Sequence, residues 1–387
     1  MRRARTGPAL SRGSCTRLAA LGVLCIGILA AAGSTALRPA PISETIWQQL
    51  DLRCEKLALK VQSPYPWPLA PFHVQHPVRG YFGDPRTVIE SGDGGAYSFH
   101  NGIDIAAWTG NHVYPVVSGF VVKAGRGRVV VQTNDDREFQ YIHVVPWVQA
   151  GEEVTASRTV LGTVRHGWNH VHLSEIRENC AVNPLMPGHI EPYRDATKAV
   201  VRAILFQDPA GRAMPADDLR GRVRVLADAY DAPPLPSPFP WGTLPVSPAR
   251  ISWALSTVAG RVLIDKTSAD FRFGEPFRHQ FCTVYAPGTE QNFAAVAGTF
   301  HWGKPGRYLF DLTPSLFGTG RLGPGRYRLT VSASDTAGNT GSRSTLIRVR
   351  AGAAPFELVR RDARCAGPER QAVSAVKASP LAARAAG

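Results

Sequence analysis

Two histidines set two residues apart, His170-Val171-His172, constrain this chain more than any other feature. Side chains alternate across a β-strand, so residues two or four apart share a face. If both imidazoles serve one site, the segment is a strand with Val171 and Leu173 on its other face. The same parity runs through the upstream sequence. Asp104 lies between Ile103 and Ile105 and points away from their core face. His100 matches Asp104 in parity if His100-Asn101-Gly102-Ile103-Asp104 is extended. In Phe139-Gln140-Tyr141-Ile142-His143 the histidine is expected to share a face with Phe139 and Tyr141. Three short strands would then aim His100, Asp104, His143, His170 and His172 into one groove.

That residue set has the chemistry of a catalytic zinc. Such a site takes three protein ligands from His and Asp or Glu and leaves a fourth position for water. The two remaining histidines would serve proton transfer and charge stabilisation. Spacing alone leaves open whether His170 or His172 is a ligand. A lone His-x-His is commonly surface decoration, and a lone His-x-x-x-Asp or Tyr-x-His says less. Here all of them occur in order within residues 100 to 172, bracketed by Gly turns. His73, His76, His112, His166, His189, His279 and His301 lack partners at ligand spacing and read as non-catalytic. His166 comes nearest to the set, because it lies on the expected groove loop.

The ordered set resembles the LytM/lysostaphin-type zinc endopeptidases, over about residues 76 to 186. Val78-Arg79-Gly80-Tyr81-Phe82-Gly83-Asp84 looks like that family's entry strand and Phe-Gly turn. His100-Asn101-Gly102-Ile103-Asp104 matches its His-x-Gly-x-Asp element, and the run from Val113 to Val122 is similar to its Val-Tyr-Ala…Gly-x-Val stretch. Tyr141-Ile142-His143 matches Tyr-x-His, and His170-Val171-His172-Leu173-Ser174-Glu175 matches His-Leu-His-Phe-Glu. Val148-Gln149-Ala150-Gly151 and Val160-Leu161-Gly162 resemble its two Gly-bearing turns. The resemblance implies zinc ligands His100, Asp104 and His172, and a catalytic pair His143 and His170. It implies an antiparallel β-sheet peptidase domain cutting peptide cross-links of bacterial peptidoglycan, with stem peptides or cross-bridges as partners. Two departures touch substrate choice. The loop Arg165 to Asn169 is short, and the segment after Gly125 lacks the usual Tyr-Gly-Asn turn.

The ends and the charge bear on location. Arg2, Arg3, Arg5, Arg12 and Arg17 precede an apolar run from Leu18 to Ala32, and Ser34-Thr35-Ala36 fits an Ala-x-Ala-like cleavage site. This pattern reads as an export signal over residues 1–36. Leu18 to Leu37 is also long enough to remain as a membrane anchor. Cys25 has no small residues just before it, which argues against a lipoprotein. The formal charge is +14, and removing the five leader arginines leaves +9. Export and the absence of a dense Lys/Arg run argue against nucleic acid as a partner. Attraction to anionic wall polymers and an ordinary Arg-rich surface both account for the charge. Cys54, Cys180, Cys282 and Cys365 remain after the leader, an even count that permits two disulfides or buried free thiols.

The chain of 387 residues divides into segments. Residues 43–69 read as an amphipathic helix and a stiff linker, with Ser43 as a possible N-cap and Trp47, Leu50, Cys54, Leu57 and Val61 on one stripe. Residues 70–195 form the peptidase domain, β-rich and without a helical period. Residues 196–351 carry alternating runs at 200–206, 221–230, 250–256, 308–312, 325–333 and 344–350, separated by Gly, Pro and Asn. Short strands so spaced suggest a β-sandwich, and the last hairpin resembles bacterial immunoglobulin-like or fibronectin-type modules. Trp241, Trp253 and Trp302 read as core or as a wall-binding face. Asp228, Asp231 and Asp335 read as solvated turn acids before calcium ligands. Residues 352–387 form an Ala- and Pro-rich tail. The fold class expected is mainly β. Without clustered His, Cys or paired acids, the second half is expected to position the enzyme, leaving the first half to work alone on small peptides. A non-catalytic zinc-binding scaffold or activator of other wall hydrolases is the competing function. Such proteins tend to lose one of the five polar residues, and this chain keeps them all. A zinc D,D-carboxypeptidase would show His-x6-Asp, where this chain has His-x3-Asp.

Overall fold

In the computed structural model, residues 44–60, 63–87, 97–238, 242, 244–292, 304–314 and 317–352 are described. The expected export signal over residues 1–36, Ser43, Val61, Trp241, His301, Trp302, Cys365 and the expected tail beyond residue 352 lie outside the described residues, as do the side chains of Trp47 and Leu50. The expected first helix is present as α1 (Glu44–Leu59). Arg177 Nη1 closes its C-terminal end by donating to the carbonyls of Leu57 and Lys60, at 3.2 and 2.8 Å, groups that a helix end leaves without partners. Cys54 on this helix is bonded to Cys180, and Ala58 is fully buried against Val182 and Met186. Cys282 is also in a disulfide. No helix among the described residues is long and apolar enough to cross a membrane.

The protein is mainly β, built from antiparallel sheets. The first half centres on one sheet containing β1 (Val78–Gly80), β2 (Ile103–Ala106), β3 (Gly119–Gly125), β4 (Arg128–Gln132), β5 (Arg137–Ile142) and β6 (His170–Arg177). Their spatial order is β1-β2-β6-β5-β4-β3, with Glu153–Val154 beyond β3 and Cys180–Val182 paired to β6. One face packs inward. Ile103, Ile105, Val129, Val131, Phe139, Tyr141, Val171 and Leu173 are each fully inaccessible to solvent and share one core cluster. Burying such a side chain contributes roughly 1.5–3 kcal/mol. Register is therefore strongly set, because a one-residue slip would turn these residues outward.

The second half forms two facing sheets. One contains β7 (Val200–Gln207), β8 (Arg222–Tyr230) and β11 (Leu309–Asp311), with Phe317–Gly318 also paired to β8. The other has β9 (Arg250–Thr257), β10 (Val262–Asp270), β12 (Gly325–Ser334) and β13 (Thr340–Val349), in the order β10-β9-β12-β13. Val225 and Ala227 of the first sheet and Ile251, Leu329 and Val331 of the second lie in one buried cluster, which makes the pair a sandwich. All six runs read from the sequence are strands. Strand β10 is an addition. It is an edge strand whose residues are mostly exposed or half-buried, so it shows no clean alternation.

The sandwich core also receives residues from the first half. Phe82 and Phe99 belong to the same buried cluster as Phe271, Phe281 and Tyr285. The Phe99 ring lies 5.3 to 5.8 Å from those three rings. Backbone joins too: Ser247 N–H donates to Asp84 Oδ1 at 2.7 Å, and Tyr285 O–H donates to the Gly83 carbonyl at 2.8 Å. This packing changes the expectation for a shortened chain. A chain ended after residue 195 would leave Phe82 and Phe99 without their apolar partners and Asp84 short of a donor. It is expected to be insoluble or unfolded, read by yield and circular dichroism. A soluble, folded product active on small peptides would show that the shared cluster is dispensable.

Candidate metal centre

The site lies on the face of the first sheet opposite its core. Strand pairing sets Asp104 of β2 directly across from His172 of β6, and on its other side from Gly80 of β1. Close approach is possible because both neighbouring positions are glycine. A Cβ on Gly80 would stand 2.5 Å from Asp104 Oδ2, and one on Gly102 would stand 2.7 Å from His172 Nε2. His100 enters from the turn before β2. Its Nδ1–H donates to the Tyr81 carbonyl at 2.9 Å, which leaves the Nε2 lone pair facing the site. His172 is held through Nε2 by the Ser174 hydroxyl at 2.7 Å, so its Nδ1 faces inward.

Three ligand atoms thus converge. His100 Nε2 is 2.8 Å from His172 Nδ1, and both lie 3.2 Å from Asp104 Oδ1. Bonds of about 2.0–2.1 Å at tetrahedral angles would separate ligand atoms by about 3.3 Å. All three residues are more than nine-tenths buried. Burial, followed by the charge of Arg86, lowers His100 to about 3, so its ring is neutral and offers a lone pair. Burial works against the Asp104 charge, yet His100, Arg79 and His170 hold that carboxyl well below its ordinary value. Two imidazoles and one carboxylate, oriented by a carbonyl and a hydroxyl behind them, fit a zinc ion.

His143 and His170 stand beside these ligands. His170 Nε2 is 3.6 Å from Asp104 Oδ1, and its Nδ1–H donates to the Trp168 carbonyl at 2.6 Å. The ring of His143 meets that of His170 edge-on at 4.6 Å and stacks on Trp168 at 3.6 Å, with 13° between planes. The face expected for His143 is corrected here. Phe139 and Tyr141 point into the core, while Gln140 and Ile142 line the groove with His143. The strand ends at Ile142, and His143 adopts φ +66°, the left-handed region that non-glycine residues seldom occupy. That backbone turn brings the ring to the groove side. Burial lowers His143 to about 3, and burial, then Arg79, lowers His170, so both rings are neutral bases.

Several groove residues were not singled out from the sequence. Arg86 Nη2 donates to Asp104 Oδ2 at 3.0 Å, and Arg79 Nη2 lies 3.3 Å from the same oxygen. Arg79 Nη2 also stands 2.9 Å from His170 Nε2. Burial, opposed by Asp104, lowers Arg79 to about 10, so it remains charged. Arg79 was visible within the matched entry strand, but Trp168 had no pattern to announce it. The groove, of about 790 Å³, also takes Glu275, Arg278, Asn292 and Tyr308 from the second half. Burial pushes Glu275 up to about 8.

Among the described residues, the other histidines stay apart from this centre. His166 is exposed and does not line the groove, although Gly167 and Trp168 beside it do. His189 is buried, with Nδ1–H donating to Glu175 Oε2 at 2.7 Å, and that carboxylate also accepts from Tyr65 and Arg177. His73, His112 and His279 are exposed.

No family model and no curated protein matches the chain. Solved structures do. The chain is similar to a point mutant of the catalytic domain of the prophage-encoded M23 protein EnpA from Enterococcus faecalis, with 24% identity, 33% of this chain and 97% of that one covered, and a TM-score of 0.24. It is also similar to a zinc-containing peptidase from Vibrio cholerae, with 21% identity, 32% and 39% covered, and a TM-score of 0.24. A chain of the SpoIIQ–SpoIIIAH pore-forming complex is 24% identical, with 32% and 89% covered and a TM-score of 0.26.

Proposed function

We propose that the protein is an exported zinc-dependent endopeptidase that hydrolyses peptide cross-links of bacterial peptidoglycan. One observation carries this reading: His100, Asp104 and His172 present three inward ligand atoms within 3.2 Å of one another, flanked by two neutral histidines. Zinc at such a site supplies Lewis acidity, which polarises a scissile carbonyl and acidifies a water. The protein's own residues do the rest. His100, Asp104 and His172 hold the ion, and their partners Tyr81 and Ser174 fix which ring nitrogens face it. One of His143 and His170 orients the attacking water or takes its proton. The other stabilises the tetrahedral oxyanion or returns a proton to the leaving amine. Trp168 holds the pair by stacking on one ring and accepting from the other.

The groove charge supports this substrate class. Arg79, Arg86, Arg128 and Arg278 line it, which suits a peptide bearing free carboxylates such as a stem peptide. The leader supports export, and the sandwich, which we take as immunoglobulin-like, supplies one wall of the groove and a surface for the cell wall. A second reading, a non-catalytic zinc-binding scaffold or activator, draws on Arg79. Its guanidinium contacts the His170 nitrogen that a proton-transfer role requires. Digestion of defined cross-linked muropeptides, read by mass spectrometry, separates the two. New amine and carboxyl termini at a cross-link are expected. A zinc-loaded protein that releases none from any muropeptide or purified sacculus would establish the scaffold.

A further inference from the structure

A second cluster of ligand atoms lies at the join between the two halves, apart from the histidine centre. Asp195 precedes β7, Asp231 directly follows β8, and Asp335 directly follows β12. Each offers a carboxylate oxygen, and these oxygens lie within 4.8 Å of one another. The solvated-turn reading of Asp231 and Asp335 does not hold, because they are 0% and 2% exposed. Asp228, grouped with them from the sequence, instead faces Arg202 and Arg307. Asp195, which no pattern singled out, takes its place and is partly open to solvent.

The partners of the three carboxylates are short-range and neutral. Asp195 Oδ1 accepts from the Thr197 N–H and hydroxyl at 2.9 and 2.5 Å, and its Oδ2 accepts from Tyr193 O–H at 3.1 Å. Asp335 Oδ1 accepts from Asn339 N–H at 2.8 Å, and its Oδ2 accepts from the Asn339 amide at 2.7 Å. Asp231 Oδ1 accepts from Ala232 N–H at 2.9 Å. Among the described residues, no Lys or Arg forms an ion pair with any of the three.

Asp231 Oδ2 is the independent observation. It is buried, has no hydrogen-bond partner, and belongs to a side chain aimed into the cluster. An orphaned buried carboxylate oxygen is costly and calls for a donor or a cation. Burial, then the Asp195 charge, pushes Asp231 up to about 8, which marks the place as short of positive charge. We propose that Asp195, Asp231 and Asp335 bind a calcium ion that ties the first half of the chain to both sheets of the sandwich. Calcium takes oxygen ligands at 2.3–2.6 Å, so two ligands on opposite sides of one ion stand about 4.6–5.2 Å apart, and the cluster fits within that span. An all-oxygen set favours calcium over zinc. The ion would also stand next to a link towards the histidine centre. Tyr193 O–H is 2.9 Å from Tyr81 O–H, and the Tyr81 carbonyl orients His100.

The test uses the full-length, zinc-loaded protein and does not depend on peptidase activity. After treatment with EGTA, calcium at about 100 times its Kd is expected to raise Tm by about 5 °C or more. Terbium in place of calcium is expected to emit when tyrosine is excited, because Tyr193 adjoins the site. Asp231→Asn removes the orphaned charge and keeps the shape. It is expected to lose the calcium shift and the terbium emission, weaken calcium binding at least about tenfold, and melt in EGTA no lower than wild type. Asp335→Asn serves as a second variant if the first does not fold. A wild-type protein whose Tm and metal content ignore calcium would overturn the proposal. So would a folded variant that keeps the full shift.

Discussion

His172→Ala is expected to strip the protein of its zinc. The reason is geometric as much as numerical. His172 Nδ1 lies 2.8 Å from His100 Nε2 and 3.2 Å from Asp104 Oδ1, so it closes a triangle that two residues cannot close alone. Without it, Asp104 would be left to Arg79 and Arg86, which already lie 3.3 and 3.0 Å from its Oδ2. Two guanidinium groups then hold the carboxylate in an ion-paired state that competes with a metal. Loss of an orienting partner behind a ligand commonly costs 10–100-fold in metal affinity, so loss of the ligand itself is expected to cost more than about 100-fold. Atomic emission on protein dialysed against a weak chelator measures this directly. Ser174→Ala, which removes only the hydroxyl at His172 Nε2, is expected to fall between that variant and wild type. Full zinc occupancy in His172→Ala would remove His172 from the ligand set.

What the sequence disclosed about this centre follows the physics of strands. Asp104, His170 and His172 sit within regular β2 and β6, where alternation alone fixes the face, and Ile103, Ile105, Val171 and Leu173 confirm it by being fully buried. His143 does not sit within a strand. Its face depends on one left-handed φ after Ile142, and no two-residue period carries that information. Arg79, Arg86 and Trp168 reach the site through tertiary packing. The groove wall from Glu275, Arg278 and Tyr308 depends on how the halves dock, and side-chain spacing within one segment cannot report that. The same limit explains the three aspartates. Asp195, Asp231 and Asp335 are far apart in the chain and meet because β8 and β12 end at the same corner of the sandwich. Strand β10 escaped because an edge strand with most of its side chains exposed has no hydrophobic period to read.

Alanine in place of His143 or His170 is expected to leave zinc bound and to lower hydrolysis of cross-linked peptides by about 100-fold or more. Neither ring completes the ligand triangle, so metal content separates these variants cleanly from His172→Ala. The two losses should differ in their side effects. His170 carries the contact to Arg79 and the hydrogen bond to the Trp168 carbonyl, so its removal frees Arg79 to move fully onto Asp104. A modest fall in zinc affinity is expected there. His143 is held by the Trp168 stack and its own backbone turn, so His143→Ala is expected to keep wild-type zinc affinity. Trp168→Ala removes the ring stacked on His143 but keeps the backbone carbonyl that His170 donates to, so it should lower turnover through His143 while the two imidazoles remain. Rates on a soluble cross-linked peptide, beside zinc measured on the same samples, decide the matter. If His143→Ala and His170→Ala each hold zinc and turn over substrate at the wild-type rate, the pair has no part in the chemistry, and the packing of Trp168 against the two rings must serve binding instead.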